Sequence, residues 1–396
     1  MISGSVLIAA LAGRGLAASA RRAGYEPLVA DAFGDSDTAE YAAHALCVKD
    51  AARIGFRTKQ TLAALSDLAQ RATSPPVGLV LGSGFEDRPK LIEVLARRYR
   101  ILGNNAATIA RCKDPRALAA LLDKLSIEHP ETQLRVPGDP AGWLSKRIGG
   151  SGGTHVASAE AEQGARRYYQ RQLDGIPHSV LAVASGGGMQ MIGISRQWSV
   201  GTGPRPYRYG GAVGPAEVAT DVAASMQSAA EKLCAALRLA GLVSFDFLLA
   251  GKSPYLLEIN PRPGATLDVF DDERGSLFHA HLAAAMGETP KVNVSMDVRA
   301  AAILYADPGS LDIGDEPLPP WTADRPAPGT HIPRYRPIAT VYGSGASQDA
   351  ALGSCRQRLD ELGQMLYGQP RNRERNDNAE VQRPGPKRLF ARSQAR

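Results

Sequence analysis

Asp246 and Glu258 lie twelve positions apart, on either side of the turn signal Gly251-Lys252-Ser253. The runs Leu242 to Ala250 and Pro254 to Ile259 read as the two strands of a β-hairpin, which brings one carboxylate from each strand to a single edge. Two carboxylates side by side repel unless a cation sits between them, so the pair reads as hard oxygen ligands for Mg²⁺ or Mn²⁺. Asn260 adds a neutral oxygen on the same face, two residues beyond Glu258. Arg262 follows with a forked cation suited to a phosphoryl or carboxylate group. A hundred residues earlier, Lys146 leads into Gly149-Gly150-Ser151-Gly152-Gly153. Glycines let backbone N–H groups approach phosphate oxygens, while the lysine supplies a point charge. The loop lacks GK[ST] and leads into a hairpin, so it is not a Walker A loop. Each feature alone is most simply a surface ion pair or a mobile turn. Their order, lysine, glycine loop, acid, then acid-x-Asn-x-Arg, points to a cleft that grips a triphosphate.

The elements that must position these residues can be read along the chain. In the first hundred residues strands and helices alternate: Ser5 to Ala12, a helical stretch Ala17 to Ala23 stopped by Gly24, then Glu26 to Asp31, with later strands at Val77 to Leu81 and Tyr99 to Gly103 around a helix Pro89 to Arg98. Repeated βαβ implies a parallel sheet, hence an α/β class. From Trp143 to Trp198 the pattern becomes hairpin-like, with glycine turns, and a helix from about Val218 to Leu239 follows. That makes the middle of the chain α+β. A third region, from Val292 to about Gly368, has strands Ala300 to Tyr305 and Ile338 to Tyr342 and a terminal helix from Asp349 to Leu366. Two turns of the first region sit at the carboxyl ends of strands, where open α/β sheets bind ligands. Gly13-Arg14-Gly15-Leu16-Ala17-Ala18, with Asp31 ending the next strand, fits the relaxed GxGxxA dinucleotide signature and keeps an NAD-dependent oxidoreductase open. The other turn is Gly82-Ser83-Gly84-Phe85-Glu86.

Composition narrows the classes further. The chain has 396 residues, 44% hydrophobic and 22% charged, which suits two or three domains with their own cores. Its apolar runs, such as Val6 to Ala12, fall short of a membrane span, and the expectation is a cytoplasmic protein. Cys47, Cys112, Cys234 and Cys355 are far apart and read as ordinary thiols. From Pro370 to Arg396 eight basic and three acidic residues supply +5 of the net +6, so the body is nearly neutral. The tail reads as solvated and disordered, and a nucleic-acid partner is not expected.

On the segments Trp143–Val156 and Phe245–Gly264 the sequence resembles the ATP-grasp superfamily, and within it the ATP-dependent carboligases related to biotin carboxylase. The resemblance implies an ATP-grasp fold: an N-terminal Rossmann-like preATP-grasp domain over 1–105, two α+β ATP-grasp subdomains over 106–287 with a flexible lid at about 130–185, a small C-terminal α+β region over 288–368, and a basic tail over 369–396. It also implies site roles. Lys113, in Cys112-Lys113-Asp114, matches a nucleotide-contacting lysine, and Lys146 the lysine before the glycine loop. Gln170-Arg171-Gln172-Leu173 resembles the adenine hinge, with Gln170 and Leu173 acting through the backbone and His178 holding the ribose. The acidic residue usual in that hinge is absent. Asp246, Glu258 and Asn260 would carry the metal, and Arg262 would steady an acyl phosphate.

The implied chemistry is two-step ligation with ATP and Mg²⁺: a carboxylate is phosphorylated, then an amine displaces phosphate to give an amide. Arg196, Arg205 and Arg208 could hold a second carboxylate or be solvated loop residues. Both readings stay open. Members of this branch are associated with tetrahydromethanopterin- or methylofuran-linked one-carbon metabolism, which suggests an amino acid and a cofactor precursor as the small-molecule carboxylate and amine partners; a homodimer is also implied. A bicarbonate-using carboxylase remains open too, although no biotin-accepting Met-Lys-Met segment is present, as does a nucleotide-binding module without catalysis. His279 and His281, two apart on a helix, make a poor metal pair.

Overall fold

The computed structural model describes residues 4–202 and 205–368. The tail expected from 369 onward lies outside them. The chain opens with β1 (Ser5–Ala9), α1 (Arg14–Arg22), β2 (Glu26–Asp31), α2 (Ser36–Tyr41), β3 (His44–Cys47), α3 (Ala51–Ile54), α4 (Thr58–Arg71), β4 (Leu79–Leu81) and α5 (Pro89–Ala96). The four strands pair in parallel in the order β3-β2-β1-β4. Continuous apolar runs such as Val6-Leu7-Ile8-Ala9 are buried on both faces of that sheet, as helix-covered parallel strands require. The order reverses between β1 and β4, so the turns after these two strands meet at one edge. There the Leu11 amide donates to the Ser83 carbonyl at 2.8 Å.

Two capped helices come next, α6 (Ala106–Lys113) and α7 (Pro115–Leu125). Asn105 accepts from the Thr108 amide to start α6, and Asp114 accepts from the Arg116 and Ala117 amides to start α7. Lys113 is thus the last residue before a fixed corner. Then β5 (Thr132–Gln133), β6 (Trp143–Arg147), β7 (Val156–Ser158) and β8 (Arg167–Arg171) form a small antiparallel sheet in the order β5-β8-β6-β7.

The largest sheet has eight strands. It contains β9 (Ile176–Ser185), β10 (Gly188–Ser199) and β11 (Tyr209–Gly214), then, after α8 (Thr220–Leu237), β12 (Gly241–Ala250) and β13 (Ser253–Asn260). After α9 (Leu267–Phe270) and α10 (Ser276–Ala285) come β14 (Val298–Tyr305), β15 (Leu311–Asp312), β16 (Thr322–Ala323), β17 (His331–Ile332), β18 (Pro337–Gly345) and α11 (Gln348–Tyr367). The order is β13-β12-β9-β10-β11-β14-β18-β16, while β15 and β17 pair separately. Strands of the third sequence region therefore extend the sheet of the middle region. The α8 side chains Val222, Met226, Leu233 and Leu237 pack on Val180, Phe245, Phe247 and Ile259, which fixes one face of this sheet as core. Alternation turns the residues between them to the other face.

Among the described residues no helix is long and apolar enough to cross a membrane.

Candidate functional site

The β12–β13 hairpin pairs Asp246 directly with Glu258 and Ser244 with Asn260, so both carboxylates and the amide stand on the face opposite α8. Ser179, opposite Asp246 on β9, donates to its Oδ1 at 2.6 Å. Asn260 Nδ2 donates to Asp246 Oδ2 at 2.8 Å, and Asn260 Oδ1 accepts from Lys113 Nζ at 2.9 Å. The same ammonium lies 3.8 Å from Glu258 Oε2. Burial, and after it the neighbouring Glu258, raises the Asp246 carboxyl above its ordinary range. Burial alone would raise Glu258 as well, but Lys113, His155 and Lys146 outweigh it and hold Glu258 low. Lys113 therefore compensates one acid better than the other. Two half-buried carboxylates with an amide oxygen are a hard donor set suited to Mg²⁺, which commonly completes its shell with phosphate oxygens and water. Among the described residues no group of three His, Cys, Asp or Glu could hold a metal ion by itself.

Lys146, on β6, faces these acids from the small sheet. Its ammonium donates to Gln170 Oε1 at 2.6 Å, and burial lowers its pKa against the opposing pull of Glu258 and Asp246. An open cleft separates the two sides. Gly149, Gly150, Tyr168 and Gln170 line one wall and Lys113, Leu256, Leu257 and Glu258 the other. The glycine loop that Lys146 leads into is laid down on the rest of the molecule. A Cβ at Gly149 would sit 2.8 Å from the Asp87 backbone, and one at Gly153 would sit 1.8 Å from the Tyr207 carbonyl oxygen. The Tyr209 amide donates to the Gly152 carbonyl at 3.1 Å, and Ser151 lies at the half-buried centre of the loop. Arg262, just past β13, donates from Nε to Glu86 Oε1 at 2.8 Å and lies close enough to Asp246 to favour its charged form.

Several expected roles are not met by this geometry. Gln170 is an inner residue of the small sheet, its backbone in register with Leu144, so its side chain and not its backbone faces the cleft. Leu173 is in the connection to β9 and is not among the residues lining the cleft. His178 pairs with Phe247, whose side chain lies in the α8 core, so it is on the face away from the carboxylates. Its Nδ1 is 3.0 Å from the Ile176 carbonyl oxygen, and burial lowers its pKa. Arg208 is neither a solvated residue nor free for a substrate. It is fully buried, with both terminal nitrogens 2.9 Å from Asp307 oxygens and its guanidinium 3.6 Å from the Tyr305 ring centroid.

The GxGxxA turn is filled by protein, which removes the NAD reading. Asp31 accepts from the Gly34 amide at 2.9 Å and closes on the start of α1. Arg14 pairs with Asp268 at 2.6 Å and Asp324 at 3.0 Å. A Cβ at Gly13 would meet Val29 at 2.5 Å, so this glycine serves helix–strand packing. His281 is buried and structural, accepting from the Leu242 amide at 2.8 Å, with Nε2 at 3.0 Å from the Leu102 carbonyl oxygen.

Four residues at the site escaped the sequence reading: Ser179, Tyr168, His155 and Glu86 in its role toward Arg262. Tyr168 is opposite Lys146 in register, so alternation from Lys146 across the strand pair could have found it. His155 comes back beneath the glycine loop, where a Cβ at Gly150 would meet its ring at 2.4 Å.

Residues 112–266 match the family model described as ATP-grasp domain. Over 280 residues the chain is 24% identical to the carbamoyl phosphate synthase large chain of Myxococcus xanthus strain DK1622; the match covers 64% of this chain and 25% of that protein. The chain thus spans a quarter of the length of this curated relative. Its fold is similar to that of biotin carboxylase from Campylobacter jejuni, with a TM-score of 0.71, 16% identity and 91% of each chain covered. It is also similar to N5-carboxyaminoimidazole ribonucleotide synthetase from Thermotoga maritima, with a TM-score of 0.63, 15% identity, and 91% of this chain and 98% of that chain covered. The chain therefore has the ATP-grasp fold, and its residues 112–266 match the ATP-grasp domain family.

Proposed function

We propose that this protein is an ATP-dependent carboxylate–amine ligase working through an acyl phosphate. The observation that carries the proposal is a cleft lined by Gly149 and Gly150 of the glycine loop on one side and by Lys113 and Glu258 on the other, with Lys146 within electrostatic reach of Glu258 and Asp246 and with Asn260 bonded to both Lys113 and Asp246. A magnesium ion held by Asp246, Glu258 and Asn260 would neutralise phosphate charge during transfer. Lys113 and Lys146 add positive charge on either side, and glycine-loop amides other than that of Gly150, which donates to the Arg147 carbonyl at 3.0 Å, would approach the phosphates. Arg262, held by Nε, has its outer edge free for the substrate carboxylate. A carboxylate oxygen attacks the γ-phosphorus and ADP leaves; the amine then attacks the acyl carbon, phosphate leaves and the amine loses a proton. No side-chain nucleophile is required. With the glycine loop down on Asp87 and Tyr207, water is kept from an intermediate it would hydrolyse.

In this reading 1–105 is the Rossmann-like preATP-grasp domain, 106–287 binds nucleotide with a lid at about 130–185, and 288–368 extends the large sheet. An amino acid joined to a tetrahydromethanopterin- or methylofuran-type precursor is the substrate pair to try first. The test is an ADP-release screen over amino acids, those precursors and bicarbonate, with hydroxylamine present to trap activated acid. Acid-dependent ADP with hydroxamate is expected. ADP release with bicarbonate alone would make the chain a carboxylase, and nucleotide binding with no ADP from any pair would overturn the ligase reading.

A further inference from the structure

The turn after β4 enters the site from a different part of the chain and holds Arg262. Glu86 is 4% exposed and uses both carboxylate oxygens: Oε2 accepts from the Gly84 and Phe85 amides at 2.7 and 3.0 Å, and Oε1 accepts from Arg262 Nε at 2.8 Å. The first two bonds tie the carboxylate to its own turn, so its position is set by the parallel sheet. The third ties the guanidinium to that turn. Arg262 Nη1 contacts only the Pro263 carbonyl, at 3.3 Å, and Nη2 makes no hydrogen bond among the described residues. The outer edge of the fork is therefore what remains for a ligand, and the guanidinium is near enough to Asp246 to favour its charged form. The next residue, Asp87, is the one on which Gly149 of the glycine loop rests.

We propose that Glu86 is a positioning residue for the ligase reaction: anchored by the Gly84 and Phe85 amides, it fixes the guanidinium of Arg262 so that the free edge meets the acyl phosphate. Because Glu86 and Asp87 are adjacent, one turn of the parallel sheet both aims the arginine and receives the closed lid. Reaction and closure are then coupled through the N-terminal segment. The inference rests on the role given to Arg262 above.

Glu86→Gln leaves one carbonyl oxygen where two carboxylate oxygens served Arg262 and the turn amides. Glu86→Asp keeps the charge but withdraws it by one methylene. With the acid giving the fastest ADP release, Glu86→Gln should lower kcat about 100-fold and Glu86→Asp about 10-fold, since a misplacement of about 1 Å costs on that order. KM for Mg·ATP should stay within about twofold, because Glu86 hydrogen-bonds none of the residues assigned to the nucleotide, Lys113, Lys146 and the glycine loop. In an Arg262→Ala background, Glu86→Gln should change kcat less than about twofold, the signature of a residue acting through its partner. Full additivity, or wild-type kcat in Glu86→Asp, overturns the proposal. Wild-type kcat in Arg262→Ala alone overturns instead the role of Arg262. A crystal structure of Glu86→Asp, which preserves charge balance in the fold, decides without turnover: the Arg262 side chain should leave its present position, and an unmoved guanidinium refutes the assignment.

Discussion

Replacing Gly153 with alanine tests whether the glycine loop must lie down for turnover. Gly153 has φ +71°, a left-handed conformation, and an added Cβ would meet the Tyr207 carbonyl oxygen at 1.8 Å and its carbon at 2.8 Å. The left-handed conformation costs an alanine about 1–2 kcal/mol. The clash is with backbone, so no side-chain rotation relieves it, and overpacking of this kind costs about 1–3 kcal/mol more. Taking about 3 kcal/mol against the closed loop, kcat should fall about 100-fold, at about 1.4 kcal/mol per tenfold. Gly152 is the built-in control. Its φ is +69° and nothing lies within 4 Å of an added Cβ, so Gly152→Ala carries only the backbone cost, about 1 kcal/mol or fivefold in rate. The assay is steady-state ADP release with and without the acceptor amine. Gly153→Ala should also raise the share of ATP hydrolysed without amide formation, because a loop held open admits water. Wild-type kcat in Gly153→Ala, or equal losses in both variants, would refute the closure argument.

Three further outcomes are expected. Glu258→Gln should abolish carboxylate-dependent ADP formation, a loss of at least about 10³-fold read by coupled assay, since it removes a carboxylate at the point of phosphoryl charge; retained turnover would remove the metal assignment. Asp35→Asn should stabilise the protein at pH 8 but not at pH 4.5. Burial, then Asp324, Asp31 and Asp37, pushes Asp35 up to about 8, above its unfolded value, so between about pH 4 and pH 8 the folded state binds the extra proton and stability falls as pH rises. At ~1.4 kcal/mol per pH unit the gain is on the order of a few kcal/mol, measured by urea melts at the two pH values, and equal effects at both would contradict it. Arg208→Met should cost about 1–2 kcal/mol of stability through the lost charged hydrogen bonds to the partly exposed Asp307, while leaving the KM for the acid unchanged; a raised KM with normal stability would return Arg208 to the substrate site.

The hairpin chemistry was legible because it is local. A turn at Gly251-Lys252-Ser253 and strand alternation suffice to set Asp246 against Glu258 with Asn260 on the same face, and the register has that form. Lys113 was legible only through resemblance. What directs it is the Asp114 cap, which makes a corner between α6 and α7. Residues that depend on distant packing were not legible. Glu86 reaches Arg262 across 176 positions of sequence, and Arg208 reaches Asp307 across 99, with nothing in either local pattern to announce the pairing. The GxGxxA turn misled for the same reason, since the carboxylates that fill it, Asp268 and Asp324, come from far along the chain. His178 failed on face: alternation along β9 places it with the α8 core, and only the strand register shows this.

The account depends on transfer of the γ-phosphoryl group to a carboxylate oxygen. Substrate acid labelled with ¹⁸O in its carboxylate, turned over with Mg·ATP and the amine, reads this step from the phosphate released, by ³¹P NMR isotope shift. One ¹⁸O atom per phosphate is the predicted result, in amount equal to the amide formed. Unlabelled phosphate at the same amide yield would show that the carboxylate was never phosphorylated, and would contradict the ligase mechanism built on this cleft.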